Sequence, residues 1–251
     1  MMQAWAADDS GAGQQGNGLT DPAKTDIEPK QEHGPDLSFD EKLSTLEESV
    51  TRHPLNREIL YKILAHCTEE RLLSDLERYV ASCPEFRGAT QNPHHMALTL
   101  KDAYGLELIE RDQEGCEITP ERKLGLNEDE LDDLVDTQSF RSTEVGSRFV
   151  ELHHPQARLI ELLDLAPERA STYRELLEFI LETPRSYPQI ETLLQGKPVL
   201  EAFIDGERIV MQPSVFVDKL ERSGALVWDG TWNLTKEGTE FLRDLQEKQS
   251  V

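Results

Sequence analysis

The sequence predicts a mainly helical α+β protein in which helices alternate with small β-hairpins. Three observations support this: helical periodicity over most of residues 38–251, short hairpin-like segments bounded by turn residues, and an internal repeat. The chain has 251 residues, which is typical of one or two domains, and its hydrophobic content of 37% is low but sufficient for globular cores. We therefore expect two small domains joined by a helix, preceded by a polar tail.

The internal repeat consists of four blocks that recur in the same order. The first, "REILYKIL" at 57–64, aligns with "RELLEFIL" at 174–181 at an offset of 117 (174 minus 57). The same offset brings two apolar pairs of the second block into register, Leu73 with Ile190 and Leu76 with Leu193. The third block, at an offset of 120, pairs Pro93, Met96, Leu100 and Leu106 with Pro213, Phe216, Leu220 and Leu226. Chance similarity between amphipathic helices is the alternative explanation.

The fourth block locates an insertion in the first copy. At an offset of 92 it pairs Thr143, Gly146 and Phe149 with Thr235, Gly238 and Phe241. The fall in offset corresponds to about 28 inserted residues (120 minus 92), which we place at about 112–136. The resulting division is a tail at 1–37, a first copy at 38–152 and a second copy at 153–251.

The tail is acidic and is predicted to be disordered, because Gly, Gln, Asp and Pro dominate it and it shows no apolar periodicity. It lacks the cationic start and apolar run of a signal peptide, and no later segment reaches the ~18 apolar residues of a membrane span. The cysteines, Cys67, Cys83 and Cys116, are an odd number without CxxC spacing. We therefore expect a cytoplasmic protein that does not bind a membrane, with Cys67 and Cys83 as core residues rather than redox or metal groups.

The second copy shows the clearest order of elements. Thr172 and Glu175 are predicted to form a capping box at the start of a helix that Pro184 ends. A short helix around Ile190 follows, and then a loop or short strand with a turn at 205–206.

The third helix of the second copy is followed by a hairpin. Pro213 marks the helix start and Gly224 supplies a left-handed stop. The segment "ALVWDGTWNL" predicts two strands around a type I′ turn at Asp229 and Gly230, and Thr235 is expected to cap the last helix.

Three helices followed by a two-stranded hairpin resemble the winged-helix fold, a helix-turn-helix variant whose hairpin is the wing. The segment "FVDKLERSGALVWDGTWNLTKEG" resembles the third helix and wing of that superfamily, and the first copy resembles it less closely, so the resemblance covers about 53–247. It implies two tandem winged-helix-like domains, but not a function, because winged helices serve both as DNA readers and as protein-binding modules. Such acidic tandem proteins are also similar in outline to the small kleisin-binding subunits of bacterial condensin-like complexes, which are dimeric adaptors, and this implies a homodimer as one arrangement.

The net charge of −23 disfavours direct binding of nucleic acid, because most of that affinity comes from Lys and Arg that neutralise phosphates. The third helix of a winged-helix DNA reader lies in the major groove and must present donors and cations. In the second copy, the predicted outward face of that helix carries two acids and two bases. In the first copy, it carries two histidines and a lysine, countered by the acid Asp102. The candidates for nucleic-acid binding are Ser214, Lys219 and Arg222 in the second copy and His94, His95 and Lys101 in the first.

The insertion is strongly acidic, with ten carboxylates against Arg122 and Lys123. Within it, "NEDELDDLVD" predicts a short helix with Leu131, Leu134 and Val135 on one side and carboxylates on the other. Three interpretations remain open: a solvated helix, a docking helix for a basic partner, and weak cation binding. A calcium loop is not indicated, because the glycine and the oxygen-ligand spacing are missing.

The sequence contains no motif that indicates catalysis. A Gly-rich phosphate loop, GxSxG and HExxH are all missing, and the histidine pairs at 94–95 and 153–154 are adjacent residues that point about 100° apart on a helix. We therefore predict that the protein is not an enzyme and has no cofactor or metal site.

Protein binding is the remaining class of function. Trp228 and Trp232 lie on either side of the predicted turn and are interpreted either as hairpin-stabilising residues or as an exposed aromatic anchor. With Asp218, Glu221 and Arg222 they are the candidate partner-binding residues. We hypothesise a non-enzymatic interaction or regulatory adaptor whose partner is a protein, with a basic protein and a second copy of the chain as options; the alternative is a DNA-binding transcriptional regulator.

Overall fold

The structure, a computed structural model, describes residues 37–204 and 207–249. Residues 1–36 of the tail and the predicted turn at 205–206 lie outside the described residues. From Leu37 onward the chain forms one compact unit that contains two separate buried apolar clusters. Over the ranges described, none of the helices combines the length and apolar character needed to cross a membrane.

The first copy contains seven described helices and one three-stranded sheet. The helices are α1 (Phe39–Thr51), α2 (Pro54–His66), α3 (Leu73–Ser82), α4 (Pro93–Asp102), α5 (Pro120–Lys123), α6 (Glu128–Leu134) and α7 (Glu144–Leu152). The strands are β1 (Arg71–Leu72), β2 (Leu106–Arg111) and β3 (Thr137–Ser142). A 3-10 turn at Pro84–Gly88 follows α3.

The second copy contains five further described helices and two hairpins. The helices are α8 (Pro155–Leu165), α9 (Pro167–Glu182), α10 (Tyr187–Leu194), α11 (Ser214–Arg222) and α12 (Lys236–Gln249). The strands are β4 (Glu201–Ile204), β5 (Glu207–Val210), β6 (Leu226–Trp228) and β7 (Trp232–Leu234). This arrangement confirms the predicted mainly helical α+β architecture with small antiparallel sheets.

The sheet of the first copy has the order β1-β3-β2 and is antiparallel throughout. Phe140 on the central strand is fully buried against the helices. On the same strand, Ser139 donates to Glu70 Oε1 at 2.6 Å, and Arg111 on β2 donates to Glu70 Oε2 at 2.9 Å. The hydrogen bonds from Arg111 and Ser139 lower the pKa of Glu70 to about 2, so this carboxylate stays charged and ties the residue before β1 to both β2 and β3.

The two apolar clusters arise from the repeated helix faces. Met96, Ala97 and Leu100 of α4 are buried in the first cluster, and the residues 120 positions later, Phe216, Val217 and Leu220 of α11, are buried in the second. At an offset of 117, Ile59, Leu60 and Ile63 of α2 correspond to Leu176, Leu177 and Ile180 of α9, which are also buried. Burial therefore follows the offsets found in the sequence for these two helix pairs.

The same set of hydrogen bonds closes both copies. In the first, the Thr143 hydroxyl donates to the carbonyls of Tyr104 and Gly105 and accepts from the Gly146 amide. In the second, the Thr235 hydroxyl donates to the carbonyls of Gly224 and Ala225 and accepts from the Gly238 amide. Tyr104 and Gly224 both have positive φ, 66° and 80°. The start of the last helix (α7 or α12) is thus hydrogen-bonded in the same way in both copies. Its partners are the residues that follow α4 in the first copy and α11 in the second, which are the third helices of the predicted repeat.

The second block of the repeat is in a different register from the one predicted. The buried pair of α3 is Leu76 and Val80, and that of α10 is Ile190 and Leu194. These pairs are 114 residues apart (190 minus 76), whereas the sequence suggested 117. Residues three apart lie on the same helix face, so a shift of three still places apolar residues on apolar residues.

Two local predictions in the second copy are wrong. Helix α9 begins at Pro167, so Thr172 is a buried residue inside the helix and does not cap it. Trp228 pairs directly with Trp232, which leaves a three-residue loop in which Gly230 alone has positive φ. A type I′ turn at Asp229–Gly230 would need positive φ at both residues.

The insertion is an ordered segment between β2 and β3. Helix α6 begins with a capping box formed by Asn127 and Glu130, and its apolar side is partly buried as predicted. Asp112 differs from the exposed acids around it, because it is buried, accepts a hydrogen bond from the Cys116 amide at 2.8 Å and pairs with Arg122 at 2.8 Å. The hydrogen bond from Arg122 lowers the pKa of Asp112. This carboxylate is therefore a structural group and does not add to the solvated acidic surface.

Candidate interaction surface at the junction of the two copies

The two copies meet around an ion pair between Glu58 on α2 and Arg158 on α8. Both guanidinium Nη atoms of Arg158 lie 3.0 Å from the Glu58 carboxylate oxygens, and the two side chains are 17% and 15% exposed. The Arg158 guanidinium also lies 5.3 Å from the centre of the Tyr61 ring. Burial raises the pKa of Tyr61 to about 12, so its hydroxyl stays neutral beside the pair.

The C-terminal end of α11 is fixed by two arginines from other helices. The Arg222 carbonyl accepts a 2.7 Å hydrogen bond from Arg158 and another from Arg57 on α2. Guanidinium groups suit this position because the C-terminal end of a helix carries partial negative charge. Gly224 follows with φ +80°, and a Cβ there would lie 3.0 Å from both Arg158 and Glu58. The end of the third helix in the second copy is therefore packed against α2 of the first copy.

A second contact joins the hairpin of the second copy to the first copy. Asp229, in the loop between β6 and β7, forms an ion pair with Arg87 in the 3-10 turn. Together with Glu58, Arg57, Arg158 and the Arg222 carbonyl, this pair defines what we call the junction.

An open groove of about 850 Å³ runs along the junction. One wall comes from the start of α2 and the 3-10 turn of the first copy, and the other from α11 and the β6–β7 hairpin. Two large apolar side chains in the groove are well exposed, Leu55 at 62% and Trp228 at 47%. The groove thus combines exposed apolar surface with a wall from each copy.

The two tryptophans occupy different environments. They form a cross-strand pair with ring centroids 5.3 Å apart and an edge-to-face angle of 61°. Trp232 packs against the second apolar cluster, and its backbone pairs with Arg185. Both side chains line the groove, but Trp228 is the more exposed of the two, at 47%. The hairpin-stabilising interpretation therefore suits Trp232, and the exposed-anchor interpretation suits Trp228.

The other candidate partner-binding residues, Asp218, Glu221 and Arg222, also line the groove. Asp218 and Arg222 pair with each other at 2.9 Å. In the described part of the chain, Glu221 has no ion-pair partner within 4.0 Å, and desolvation by the surrounding protein, aided by Asp218, raises its pKa. The part of the predicted outward face of α11 that carries Asp218, Glu221 and Arg222 thus looks across the groove toward the first copy.

The candidate nucleic-acid-binding residues are not brought together. Ser214 is exposed at the start of α11 and Lys219 is partly buried on its flank, and neither lines the groove. In the first copy, His94 packs with its ring edge against Phe140 and His95 is exposed. Lys101 is paired with Asp102 at 2.8 Å. Neither third helix therefore presents a cluster of free cations over the described residues.

The residues that build the junction were not identified from the sequence. Glu58 and Arg158 are 100 positions apart, and each reads locally as a polar residue on the solvated face of an amphipathic helix. The same holds for Arg57 on α2, and Arg87, in the 3-10 turn, has no local signal that it contacts the second copy. Leu55 gave one weak signal, because an apolar residue directly after the helix-starting Pro54 is not needed for the apolar face of α2.

Cys67, Cys83 and the adjacent histidines at 153–154 have structural environments, whereas Cys116 is exposed. Cys67 and Cys83 are buried, and burial raises the pKa of both thiols, that of Cys67 to about 12. His153 contacts Glu47 at 3.1 Å, and His154 accepts the Gln156 amide at the start of α8. The described residues contain no group of three or more His, Cys, Asp or Glu side chains placed to hold a metal ion.

Comparison with protein-family models, with curated proteins and with solved structures finds no match to this chain. Arguments about function therefore rest on the geometry and chemistry described above.

Proposed function

We propose that the chain is a tandem winged-helix protein in which each copy is one domain. Three observations support this. The first is the order of three helices and a hairpin, which is α2, α3, α4 and β2–β3 in the first copy and α9, α10, α11 and β6–β7 in the second. The others are the repeated burial pattern and the repeated hydrogen bonds of Thr143 and Thr235. The order β1-β3-β2 also suits a small sheet in which a strand before the second helix joins the hairpin.

The function we infer is that of a non-enzymatic interaction or regulatory adaptor that binds a protein. One observation carries this inference: the outward face of α11 lines a groove whose opposite wall is the first copy. A recognition helix must enter a major groove about 12 Å wide with its base-reading face free. In this structure the start of α2 and the 3-10 turn form the opposite wall of the groove, so this face of α11 is not free in that way. The same position suits a peptide segment, which needs only an open groove with exposed apolar side chains.

The charges of the third helices favour the same conclusion. A specific DNA complex uses on the order of 6–10 phosphate contacts. The cations of α4 and α11 that face outward are few, and both Lys101 and Arg222 are paired with aspartates of their own helix. Reading DNA would require breaking these pairs on a protein whose net charge is −23.

The groove also bears on the proposal that the protein is not an enzyme. It is concave and contains shifted titratable groups, because burial raises the pKa of Glu221 and lowers that of Arg57. Both shifts follow from desolvation at the junction. The described residues that line the groove include no His, Cys or Ser, and the one hydroxyl among them, that of Thr51, donates to the Glu47 carbonyl at 2.7 Å, so the groove shows no hydroxyl or thiol paired with a base. We place the protein in the cytoplasm because its buried cysteines are unpaired thiols.

The adaptor proposal predicts that Trp228→Ala weakens capture of a partner. When the tagged full-length chain is purified from its native cells, mass spectrometry should show one defined co-purifying protein. Loss of an exposed aromatic anchor typically costs about 2 kcal/mol of binding free energy, which corresponds to roughly thirtyfold weaker binding of that protein.

Leu165→Ala is the matched control for this experiment. Leu165 is exposed at the end of α8 and does not line the groove, so this change should leave capture unaltered. Circular dichroism of both variants checks that they remain folded. Equal capture by the wild type and by Trp228→Ala would contradict the role of the groove.

A DNA-binding transcriptional regulator is the second candidate function, and one observation favours it. Helix α4 does not line the junction groove, and His95 on it is exposed, so the third helix of the first copy is not covered by the second copy. This candidate requires DNA binding through α4 alone.

A further inference from the structure

A second groove, of about 580 Å³, lies between α3 and the insertion. Its lining includes four apolar residues, Leu72 and Leu73 at the start of α3 and Leu131 and Val135 from the region of α6. Leu72 lies on β1 at the edge of the sheet and is 44% exposed. A partner that covered this side chain would remove exposed apolar surface from water. The groove therefore has an apolar floor without a described element over it.

The rim of this groove is negatively charged. Glu77, Asp132 and Asp136 line it, and none of them takes part in an ion pair within the described ranges. The remaining charged residues of the lining, Glu110 and Lys123, are paired with each other. Three uncompensated carboxylates thus surround the apolar floor.

The insertion that forms one wall is fastened to the sheet. The Ile118 amide donates to the Glu110 carbonyl and the Asp136 amide to the Arg111 carbonyl, both at 2.8 Å. Ile118 is buried, and Arg122 pairs with the buried Asp112. The groove is therefore formed before any partner binds, and binding does not carry the free-energy cost of ordering the insertion.

We propose that this groove binds a basic amphipathic segment of a partner protein. Apolar side chains of such a segment would cover Leu72, Leu131 and Val135, while its Lys or Arg residues would meet the three rim carboxylates. The inference rests on the proposed function, since it names the class of partner that the adaptor binds. A nucleic acid does not suit a rim of carboxylates, and a second copy of this chain, at a net charge of −23, is not basic.

The test uses a fluorescein-labelled amphipathic peptide made of Leu and Lys, with a Glu-for-Lys peptide as the probe control. Fluorescence anisotropy measures binding to the full-length chain. The expected result is saturable binding of the Lys peptide and none of the Glu peptide. The double variant Asp132→Asn with Asp136→Asn should bind the Lys peptide at least about tenfold more weakly.

The matched control separates this groove from general attraction to an acidic protein. Asp129 and Asp133 lie on the same insertion but do not line the groove, so Asp129→Asn with Asp133→Asn removes the same charge elsewhere. This control should change the affinity by less than about twofold. Equal weakening by both double variants would overturn the proposal.

A second pair of variants tests the apolar floor. Leu72→Ser should weaken peptide binding about fivefold or more, whereas Leu124→Ser, at an exposed position of the insertion outside the groove, should not. Equal affinities for Leu72→Ser and the wild type would overturn the proposal. Failure here leaves the adaptor function intact if Trp228→Ala still weakens capture of the native partner, so the two failures can be told apart.

Discussion

Gly146→Ala is expected to lower the free energy of unfolding by about 3 kcal/mol, although the same change in a helix usually stabilises a protein by up to about 1 kcal/mol. The reason is the close approach of α7 to the chain before β2. A Cβ at position 146 would lie 2.1 Å from the carbonyl oxygen of Gly105, and backbone cannot give way as a side-chain tip can. Urea unfolding followed by circular dichroism measures the change.

Gly238→Ala should have a similar effect through the equivalent contact of the second copy. Its Cβ would lie 2.4 Å from the carbonyl oxygen of Ala225. Glu144→Ala, at an exposed position in α7, is the control and should change stability by less than about 0.5 kcal/mol. If either glycine variant were as stable as the wild type, the last helix of that copy would not be packed as described.

The second large effect is expected at the junction. Removing either partner of the Glu58–Arg158 pair leaves a largely buried charge without compensation, which should cost about 3 kcal/mol. In a double-mutant cycle with Glu58→Ala and Arg158→Ala, the double variant should be less destabilised than the sum of the single variants by about 1.5 kcal/mol or more. Urea unfolding of the four proteins provides the four free energies.

The pair Asp218–Arg222 gives the cycle its control. It is a half-exposed pair on one turn of α11, so its coupling energy should be at most about 0.5 kcal/mol. A coupling energy of Glu58 and Arg158 as small as that of the control would mean that the two copies are not held together through this pair.

The elements of the fold follow from periodicity and from strong stop signals. The buried faces of α4 and α11 could be read from spacing alone, and Gly224 and Thr235 have the predicted roles. The capping box at Thr172 failed because the same spacing of Thr and Glu also occurs inside helices, and Pro167 upstream is compatible with a helix start.

The candidate site is only partly visible in the sequence because it is built between distant segments. Trp228 and Glu221 could be found from the hairpin and from the outward face of α11. The opposite wall could not, since nothing near Leu55 or Arg87 indicates that the second copy packs there. Such contacts depend on how two domains with separate cores are placed, and a helical pattern reports only the face that each helix turns to its own core.

The central proposal is that this tandem fold binds protein rather than DNA, because over the described residues neither α4 nor α11 presents a cluster of unpaired cations and α11 faces the first copy across a groove. The most direct measurement is a fluorescence anisotropy titration of a labelled mixed-sequence duplex with the full-length chain at about 50 mM salt, where phosphate contacts are strongest. We predict no saturable binding up to about 100 μM protein. Saturable binding that weakens steeply as salt is raised, and that Lys101→Ala or His95→Ala reduces, would contradict the account.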